Sequence, residues 1–191
     1  AYNPFVDAET VRDSVHSRFE RESLSLAHYY ANAIGEGITM FWSAYEAEHA
    51  FRQKLMGRLR EFMSPECVMD SPMALIAMAT DATDLRMELP LLVVEPDSAE
   101  QVSRIVRLAN EMKFALIPRG GGSGMTGGAV PARKRAVVVN LTRLTRIGPI
   151  DLEAMTVACQ AGAITQDVIN AVSGAGALFS VDPASKQASS I

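Results

Sequence analysis

The stretch that decides the fold runs from Pro118 to Pro131 and reads Pro-Arg-Gly-Gly-Gly-Ser-Gly-Met-Thr-Gly-Gly-Ala-Val-Pro. Six of these fourteen residues are glycine, and the stretch follows a short apolar run at residues 114–117. A backbone without Cβ atoms turns sharply, adopts positive φ and brings its N–H groups against a ligand with no side chain in between. The stretch therefore predicts a loop that binds a phosphate or pyrophosphate group, with a flexible glycine linker as the alternative.

The residues after this loop separate it from the common nucleotide-binding motifs. Gly122, Gly124 and Gly127 have the G-x-G-x-x-G spacing of a Rossmann fingerprint, but that motif opens a helix. Here the loop leads into Ala136–Asn140, a β-branched run that predicts a strand. Asp151 lies at about the distance where an NAD-binding unit carries its acidic residue, but it does not end that strand. A P-loop would need Gly-Lys-Ser/Thr, which the stretch lacks, so the context is strand, loop and strand.

Upstream of the loop, the sequence predicts a parallel strand pair with a crossover helix. Leu91–Val94 is a buried strand by its branched apolar residues. Asp97 and Ser98 each have Glu100 or Gln101 three residues on, the spacing of a helix capping box. Leu116-Ile117 begins the next strand, and a strand, helix and strand over about 25 residues imply parallel pairing with a right-handed connection. The glycine loop then leaves the carboxyl end of a parallel strand, where open α/β sheets bind ligands.

Downstream of the loop, two shorter strands are expected at residues 144–151 and 155–160, around a turn at Gly148-Pro149. Thr165 is the expected cap of a further helix that stops at Gly174.

The first 62 residues predict a helical hairpin. Asp7 is the expected cap of a first helix over residues 7–34, and Gly35 and Gly37 are its expected end. A second helix carries an apolar, aromatic-rich stripe up to residue 62, which is typical of a core or an interface. The hairpin either packs on the following domain or forms a subunit contact, and the sequence leaves both open.

The composition is that of a globular chain with one large or two small domains, since 48% of the 191 residues are hydrophobic and 21% are charged. A net charge of −4 argues against a nucleic-acid partner. No apolar run reaches the ~20 residues of a membrane span and no signal peptide is evident, so we expect a cytoplasmic protein, with peripheral membrane association left open. Cys67 and Cys159 predict free thiols, and no histidine has a second ligand at metal spacing, so no metal site is expected.

Several segments match a known family in order and spacing, from about Phe51 to the end of the chain. They are Ala79–Asp84, Pro90–Pro96, the loop Pro118–Pro131, Gln160–Gly162, Asp182–Ser185 and Ser189–Ile191. With them the chain resembles the FAD-linked oxidases of the vanillyl-alcohol oxidase and p-cresol methylhydroxylase (PCMH) type. The resemblance is greatest to the branch that contains glycolate oxidase, D-lactate dehydrogenase and D-2-hydroxyglutarate dehydrogenase.

This resemblance implies an α+β fold in two parts. Residues 1–50 lie outside the resemblance and would be a helical extension that contains most of the predicted hairpin. Residues 51–191 would be the N-terminal part of a PCMH-type FAD-binding domain, with its first, parallel-stranded subdomain and the start of the second. The family's domain continues past this point, so the chain is expected to be a truncated N-terminal piece.

The resemblance also assigns cofactor contacts. Amides of Gly120–Gly124 would take the FAD pyrophosphate, and the segment around Pro183–Ser185 and Ser189–Ile191 would approach the isoalloxazine. Arg119 would meet phosphate or form a structural salt bridge. The complete set of expected contact residues is Pro118, Arg119, Gly120, Gly121, Gly122, Ser123, Gly124, Met125, Thr126, Gly127, Gly128, Ala129, Gly162, Pro183, Ala184, Ser185, Ser189, Ser190 and Ile191.

The reaction that the resemblance implies is oxidation of a D-2-hydroxy acid such as D-lactate, glycolate or D-2-hydroxyglutarate by hydride transfer to FAD. A quinone or an electron-transfer protein would reoxidise the flavin. No catalytic residue is expected in this chain, because the family's catalytic groups come from a later cap domain. The loop contains no His or Cys, so FAD is expected to bind noncovalently. A partner-binding module with an incomplete flavin fold is the alternative, and it would use the N-terminal helices as an oligomer or partner contact.

Overall fold

The computed structural model describes residues 8–81 and 88–191, and it describes the side chains of the first helix from residue 31 onward. The chain divides into two compact units, the first ending at Phe51 and the second running from Arg52 to Ile191. Asp7, the expected N-cap, and the second half of the Ala79–Asp84 motif lie outside the described residues.

The first helix, α1, spans Ala8–Arg60 without a break. The predicted hairpin is therefore wrong, because Gly35 and Gly37 continue the helix. A glycine inside a helix costs about 1 kcal/mol relative to alanine but does not by itself end the helix. A glycine that ends a helix takes the left-handed conformation, and neither of these two has a positive φ. None of the helices that the structure describes has a stretch apolar enough to cross a membrane.

The second unit alternates strands and helices after the end of α1. A short 3₁₀ turn lies at Pro65–Cys67. The elements that follow are β1 Val68–Met69, α2 Pro72–Met78, β2 Leu92–Val94, α3 Ala99–Met112, β3 Ala115–Arg119, β4 Ala136–Asn140, β5 Ile147–Asp151, β6 Thr156–Cys159 and α4 Thr165–Gly174.

The larger sheet has the strand order β1-β2-β4-β3, and both β2 and β3 run parallel to β4. The parallel direction was predicted, but β2 and β3 do not pair with each other, because β4 lies between them. Every residue of β4 is buried, as expected for a run of valines in the middle of a parallel sheet. Leu75 of α2 packs with Val93 and Val138 on one face of this sheet.

The crossover helix α3 begins as the sequence predicts. The Ser98 side chain accepts a hydrogen bond from the Gln101 amide at 3.4 Å, and Gln101 Oε1 accepts one from the Asp97 amide at 3.0 Å. The end of α1 is tied to this helix by Arg58, which donates to both carboxylate oxygens of Glu111 at 2.8 and 3.1 Å. These hydrogen bonds raise the pKa of Arg58 and lower the pKa of Glu111.

The hairpin of β5 and β6 turns at a different place from the predicted one. The Gly148-Pro149 pair lies inside β5, at a register shift between Ile147 and Ile150, and the turn follows at residues 152–155. Pro149 is tolerated because it lies in a two-stranded sheet beside an irregularity, where a missing N–H costs little. Met155 closes the turn with a φ of 52°.

The last helix, α4, has Ile164 rather than Thr165 at its N-cap, and no side chain caps it. Thr165 was predicted to cap this helix, but its hydroxyl donates instead to the Ser189 carbonyl at 3.1 Å. Val168 and Val172 pack the helix against the β5–β6 hairpin. The start of α4 is therefore free to hold a more distant segment of chain.

Candidate cofactor-binding site

The glycine-rich loop starts at the carboxyl end of β3, an edge strand of the parallel sheet, and returns to β4 beside it. Gly122 and Gly127 have φ values of 65° and 75°, in the left-handed region that favours glycine. Val130 and Pro131 are buried and anchor the end of the loop before β4 begins. The segment between β3 and β4 is therefore an irregular loop whose two ends are fixed by the strands.

The first half of the loop is packed against the end of the chain. A Cβ atom on Gly120 would overlap Ser190 Oγ, and one on Gly121 would overlap the Ala188 carbonyl oxygen. The Gly121 amide donates a hydrogen bond to Ser190 Oγ at 3.2 Å. Glycine is thus required at these two positions by a contact with residues almost seventy positions away in sequence.

Three hydroxyl groups join the loop to a segment that we call the serine turn, residues 185–190. Ser123 Oγ lies 2.8 Å from Ser189 Oγ, and Ser189 Oγ lies 2.6 Å from Ser185 Oγ. A hydroxyl both donates and accepts, so such a chain can turn one O–H outward toward an anion. The structure therefore brings three of the predicted site serines together with the loop.

The start of α4 holds the serine turn in place. Both the amide and the hydroxyl of Thr165 donate to the Ser189 carbonyl, at 2.9 and 3.1 Å. Ile164 and Ser190 form an antiparallel bridge, and the Ile191 amide donates to the Ala163 carbonyl at 3.0 Å. Backbone hydrogen bonds therefore fix the position of Ser189 independently of its side chain.

The second half of the loop faces open space. A Cβ atom on Gly124 would meet nothing within 4 Å, and Met125, Thr126 and Gly128 are exposed. Among the hydrogen bonds of the described residues, none is donated by the amides of residues 122–128. These amides are free to donate to a ligand.

Arg119 spans the loop from its first residues to its last. Its Nη1 donates to the Ala129 carbonyl at 3.2 Å, and a Cβ atom on Gly122 would overlap its guanidinium group. No acidic partner of Arg119 is found in the part of the chain that the structure describes. Arg119 therefore holds the loop ends together through a backbone carbonyl, and the expected salt bridge is absent from those residues.

Other predicted site residues make no hydrogen bond to the loop among the described residues. Gly162 is buried, its amide donates to the Leu144 carbonyl at 2.8 Å, and a Cβ atom there would overlap the Leu141 carbonyl oxygen. The Pro183 carbonyl accepts from the Lys186 amide within its own turn at 3.0 Å. The hydrogen bonds of the described residues join neither Pro183 nor Ala184 to the loop.

The sequence reasoning missed a polar pair at the same edge of the sheet. Asn140, at the carboxyl end of β4, is 4% exposed, and its Nδ2 donates to Glu95 Oε1 at 2.7 Å just after β2. Its Oδ1 accepts from the Thr142 amide at 3.3 Å. The sequence did contain a signal for this pair, an asparagine at the end of a run of valines. A side-chain amide buried in that position requires hydrogen-bond partners. The pair ties two strand ends together beneath the loop.

The groups at this site suit an anion. They are backbone N–H groups and serine hydroxyls, and residues 118–131 contain no acidic side chain. Open glycine amides can approach a pyrophosphate without steric hindrance, and adjacent amides in such a loop form an anion-binding concavity. In the described ranges, no group of three His, Cys, Asp or Glu side chains could hold a metal ion.

A family model described as FAD binding domain matches residues 90–191, which include the parallel strands, the loop and the serine turn. The chain is 31% identical over 134 residues to glycolate oxidase subunit GlcD of Bacillus subtilis, covering 70% of this chain and 28% of that protein. It is 34% identical over 137 residues to D-2-hydroxyglutarate dehydrogenase of Stutzerimonas stutzeri, covering 72% and 29%. The chain thus spans less than a third of the length of these relatives.

The fold is similar to that of p-cresol methylhydroxylase with substrate bound. The TM-score is 0.65 with 19% sequence identity, over 73% of this chain and 28% of that one. At this identity the likeness concerns the fold alone.

Proposed function

Because the chain belongs to the family of FAD binding domains, to which its residues 90–191 conform, we propose that it forms the FAD-binding part of an oxidoreductase that oxidises a D-2-hydroxy acid. The predicted family and FAD as the cofactor are confirmed by this membership. The substrate class is proposed from the names of two relatives, a glycolate oxidase subunit and a D-2-hydroxyglutarate dehydrogenase. We propose that the second unit, from Arg52 onward, carries this function, since the matched residues 90–191 lie wholly within it.

The observation that carries the proposal is the open second half of the loop. The amides of residues 122–128 have no acceptor among the described residues, and Gly124 presents bare backbone to solvent. Hydrogen bonds from such amides to a charged group contribute roughly 1.5–3 kcal/mol each. We assign the FAD pyrophosphate to these amides, with the Thr126 hydroxyl as a further donor. Gly121 is excluded from the donor set, because its amide already donates to Ser190.

The serine turn supplies the opposite wall of the site. Ser189 is fixed by the start of α4 and connects Ser123 of the loop with Ser185. The residues beside it, Pro183 and Ile191, are proposed to line the flavin. A preorganised wall of this kind orients a bound group without a rearrangement, which reduces the entropy cost of binding.

Arg119 is proposed as a positioning residue. Its contact with the Ala129 carbonyl and its place beside Gly122 hold the two ends of the loop at a fixed separation. The guanidinium also supplies positive charge beside the proposed pyrophosphate site, and it does so while it is held by a backbone carbonyl.

FAD, when bound, supplies the acceptor for a hydride from the α-carbon of the hydroxy acid. The residues of this chain bind and orient it, and they exclude water on the loop side. We propose that binding is noncovalent, since residues 118–131 contain no His or Cys. The electron acceptor is proposed to be a quinone or an electron-transfer protein.

The assignment of the pyrophosphate is tested by introducing a negative charge into the open half of the loop. In the whole protein, purified at the length of its relatives, Gly124→Asp should abolish FAD binding, because a carboxylate would repel the pyrophosphate where the backbone approaches it. The matched control is Gly174→Asp at the end of α4, where a new Cβ atom also meets nothing within 4 Å. Flavin absorbance after stripping and re-addition of FAD is the measurement.

The expected result is full flavin content in the control and at least a hundredfold loss of FAD affinity in Gly124→Asp. Equal flavin content in the two variants would contradict the assignment of the pyrophosphate to this loop. A whole protein that contains no flavin would instead favour the alternative, a partner-binding module.

A further inference from the structure

One face of α1 in the first unit is apolar and exposed. Its large side chains are each between 55% and 69% exposed, and they are Ile34, Ile38, Phe41, Trp42 and Tyr45. A soluble protein seldom leaves so many adjacent large apolar side chains uncovered, and such patches mark interaction sites. We call these five residues the aromatic seam.

The seam has the spacing of a coiled coil. Ile34, Ile38, Phe41 and Tyr45 follow one another at intervals of four, three and four residues, which are the a and d positions of a heptad. Upstream, the sequence keeps the same spacing with small and apolar residues at 24, 27 and 31. The e and g positions that flank this repeat, residues 35, 37, 42, 44 and 49, carry no Lys, Arg, Asp or Glu. Glu36 and Glu46 lie on the opposite side of the helix, and the repeat ends at Glu48, the next d position. A helix with this pattern is suited to pack against another helix that has an apolar face.

Two glycines lie beside the seam, and no contact among the residues that the structure describes requires glycine at either position. Gly35 and Gly37 are helical, and a Cβ atom on either would meet nothing within 4 Å. Each costs about 1 kcal/mol of helix stability relative to alanine. Both flank the seam in the heptad, so the missing side chains allow a second helix to approach closely.

Two aromatic side chains of the seam contact neighbouring groups on the same helix. The Trp42 Nε1 donates to Glu46 Oε1 at 2.9 Å, and the rings of Trp42 and Tyr45 lie 5.7 Å apart. The ring of His49 stacks on Tyr45 at 6.3 Å. The indole N–H therefore has its partner on the helix itself, so covering the seam need not bury an unpaired donor, and little side-chain entropy would be lost.

We propose that the aromatic seam is the interface of a homodimer, in which the α1 helices of two copies pack together. A fully exposed aromatic side chain has ~150–250 Å² of accessible surface. At their exposed fractions, the three aromatic side chains and the two isoleucines of the seam together expose on the order of 550 Å² of surface. Each partner of a stable interface buries ~800 Å², which the seam approaches before any flanking contact is added. The family model begins at residue 90, so its match does not include this helix. A second copy supplies an identical seam by symmetry.

The protein contains a built-in probe of this interface. Its sequence has a single tryptophan, Trp42, and that residue belongs to the seam. In sedimentation experiments at tens of micromolar, we expect the chain to have twice its monomer mass. On dilution to nanomolar concentrations, the Trp42 emission should shift to the red at the concentration where the dimer dissociates.

The interface is tested by two matched pairs of substitutions. Ile38→Glu with Phe41→Glu places two charges in the seam and should weaken dimerisation at least a hundredfold. Ser43→Glu with Ala47→Glu adds the same charges on the other side of the helix and should leave the dimer intact. All four positions are exposed, so far-ultraviolet circular dichroism should show the same helix content in both variants.

A monomeric chain at tens of micromolar would overturn the proposal, as would a dimer that both double variants retain. A monomer whose Trp42 emission shifts to the blue only when phosphatidylglycerol vesicles are added would assign the seam to a membrane surface and also overturn it. The proposal is independent of the flavin assignment, because neither double variant touches the loop.

Discussion

The two halves of the glycine-rich loop contain the same residue type for different reasons. Gly120 and Gly121 are glycines because the end of the chain packs directly against them, and a Cβ atom on either would overlap Ser190 or Ala188. Gly124 has no neighbour that a Cβ atom would reach, and its surroundings are solvent. One stretch of sequence therefore combines a structural contact with a surface left bare for a ligand.

This difference changes the position of the proposed cofactor contacts. The family resemblance places the pyrophosphate on the amides of Gly120–Gly124. In the structure the Gly121 amide donates to Ser190, whereas the amides of residues 122–128 lack an acceptor among the described residues. The first half needs no ligand to be ordered, whereas the amides of the second half donate to water until an anion binds.

The largest effect should follow from adding one methyl group to the packed half. Gly121→Ala would place a Cβ atom on the Ala188 carbonyl oxygen and 3.0 Å from its carbon. Both neighbours are backbone atoms, so either the loop or the serine turn must move. We expect a loss of about 2–3 kcal/mol in the free energy of unfolding and weaker FAD binding, measured by urea unfolding without FAD and by FAD titration.

Gly57→Ala on α1 is the control, because a Cβ atom there meets nothing within 4 Å. Since Gly57 is helical, this control should gain up to about 1 kcal/mol. If Gly121→Ala is as stable as the unsubstituted protein, the first half of the loop is not held by the serine turn.

A smaller effect is expected from the hydroxyl group that joins the two segments. Ser189→Ala removes the hydrogen bonds to Ser123 and Ser185 but keeps the Ser189 carbonyl, which still accepts from Thr165. The serine turn should therefore stay in place, with a loss of about 1 kcal/mol in the free energy of unfolding. Thermal unfolding of the variant and of Ser173→Ala, an exposed serine on α4, measures the difference. A loss as large as that of Gly121→Ala would mean that the side chain, and not the backbone of α4, positions the turn.

The sequence contained enough information for the parallel strands and for the place of the loop. Leu91–Val94 and Ala136–Asn140 are runs of branched apolar residues, and only a strand buried on both faces needs such a run. The spacing of Ser98 and Gln101 located the start of α3, because a capping interaction is local and acts over three or four residues. The residue types of the loop predicted a phosphate site, and the family and the cofactor followed from the resemblance of several segments to known FAD-linked oxidases.

Features that depend on distant contacts were not predicted. The contact between the loop and the serine turn joins Gly121 with Ser190, and no local pattern encodes that pairing. For the same reason Thr165 was predicted to be a helix cap, although its hydroxyl donates to Ser189. The predicted break at Gly35 failed because helix propensity is a weak preference that neighbouring residues override.

The smallest change in the free energy of unfolding should follow from adding the same methyl group to the open half of the loop. Here we expect a gain in stability and not a loss. Gly124→Ala meets no atom within 4 Å, and Gly124 does not have a positive φ, so alanine fits the native backbone. Because alanine has fewer conformations than glycine in the unfolded chain, the FAD-free protein should gain about 0.5 kcal/mol in the free energy of unfolding. FAD affinity should fall several-fold, because the methyl group would stand where a pyrophosphate approaches the backbone while the N–H remains. Urea unfolding and FAD titration of the same preparations separate the two effects. A variant less stable than the unsubstituted protein would show that Gly124 is needed by the fold itself, and the distinction between the two halves of the loop would then be lost.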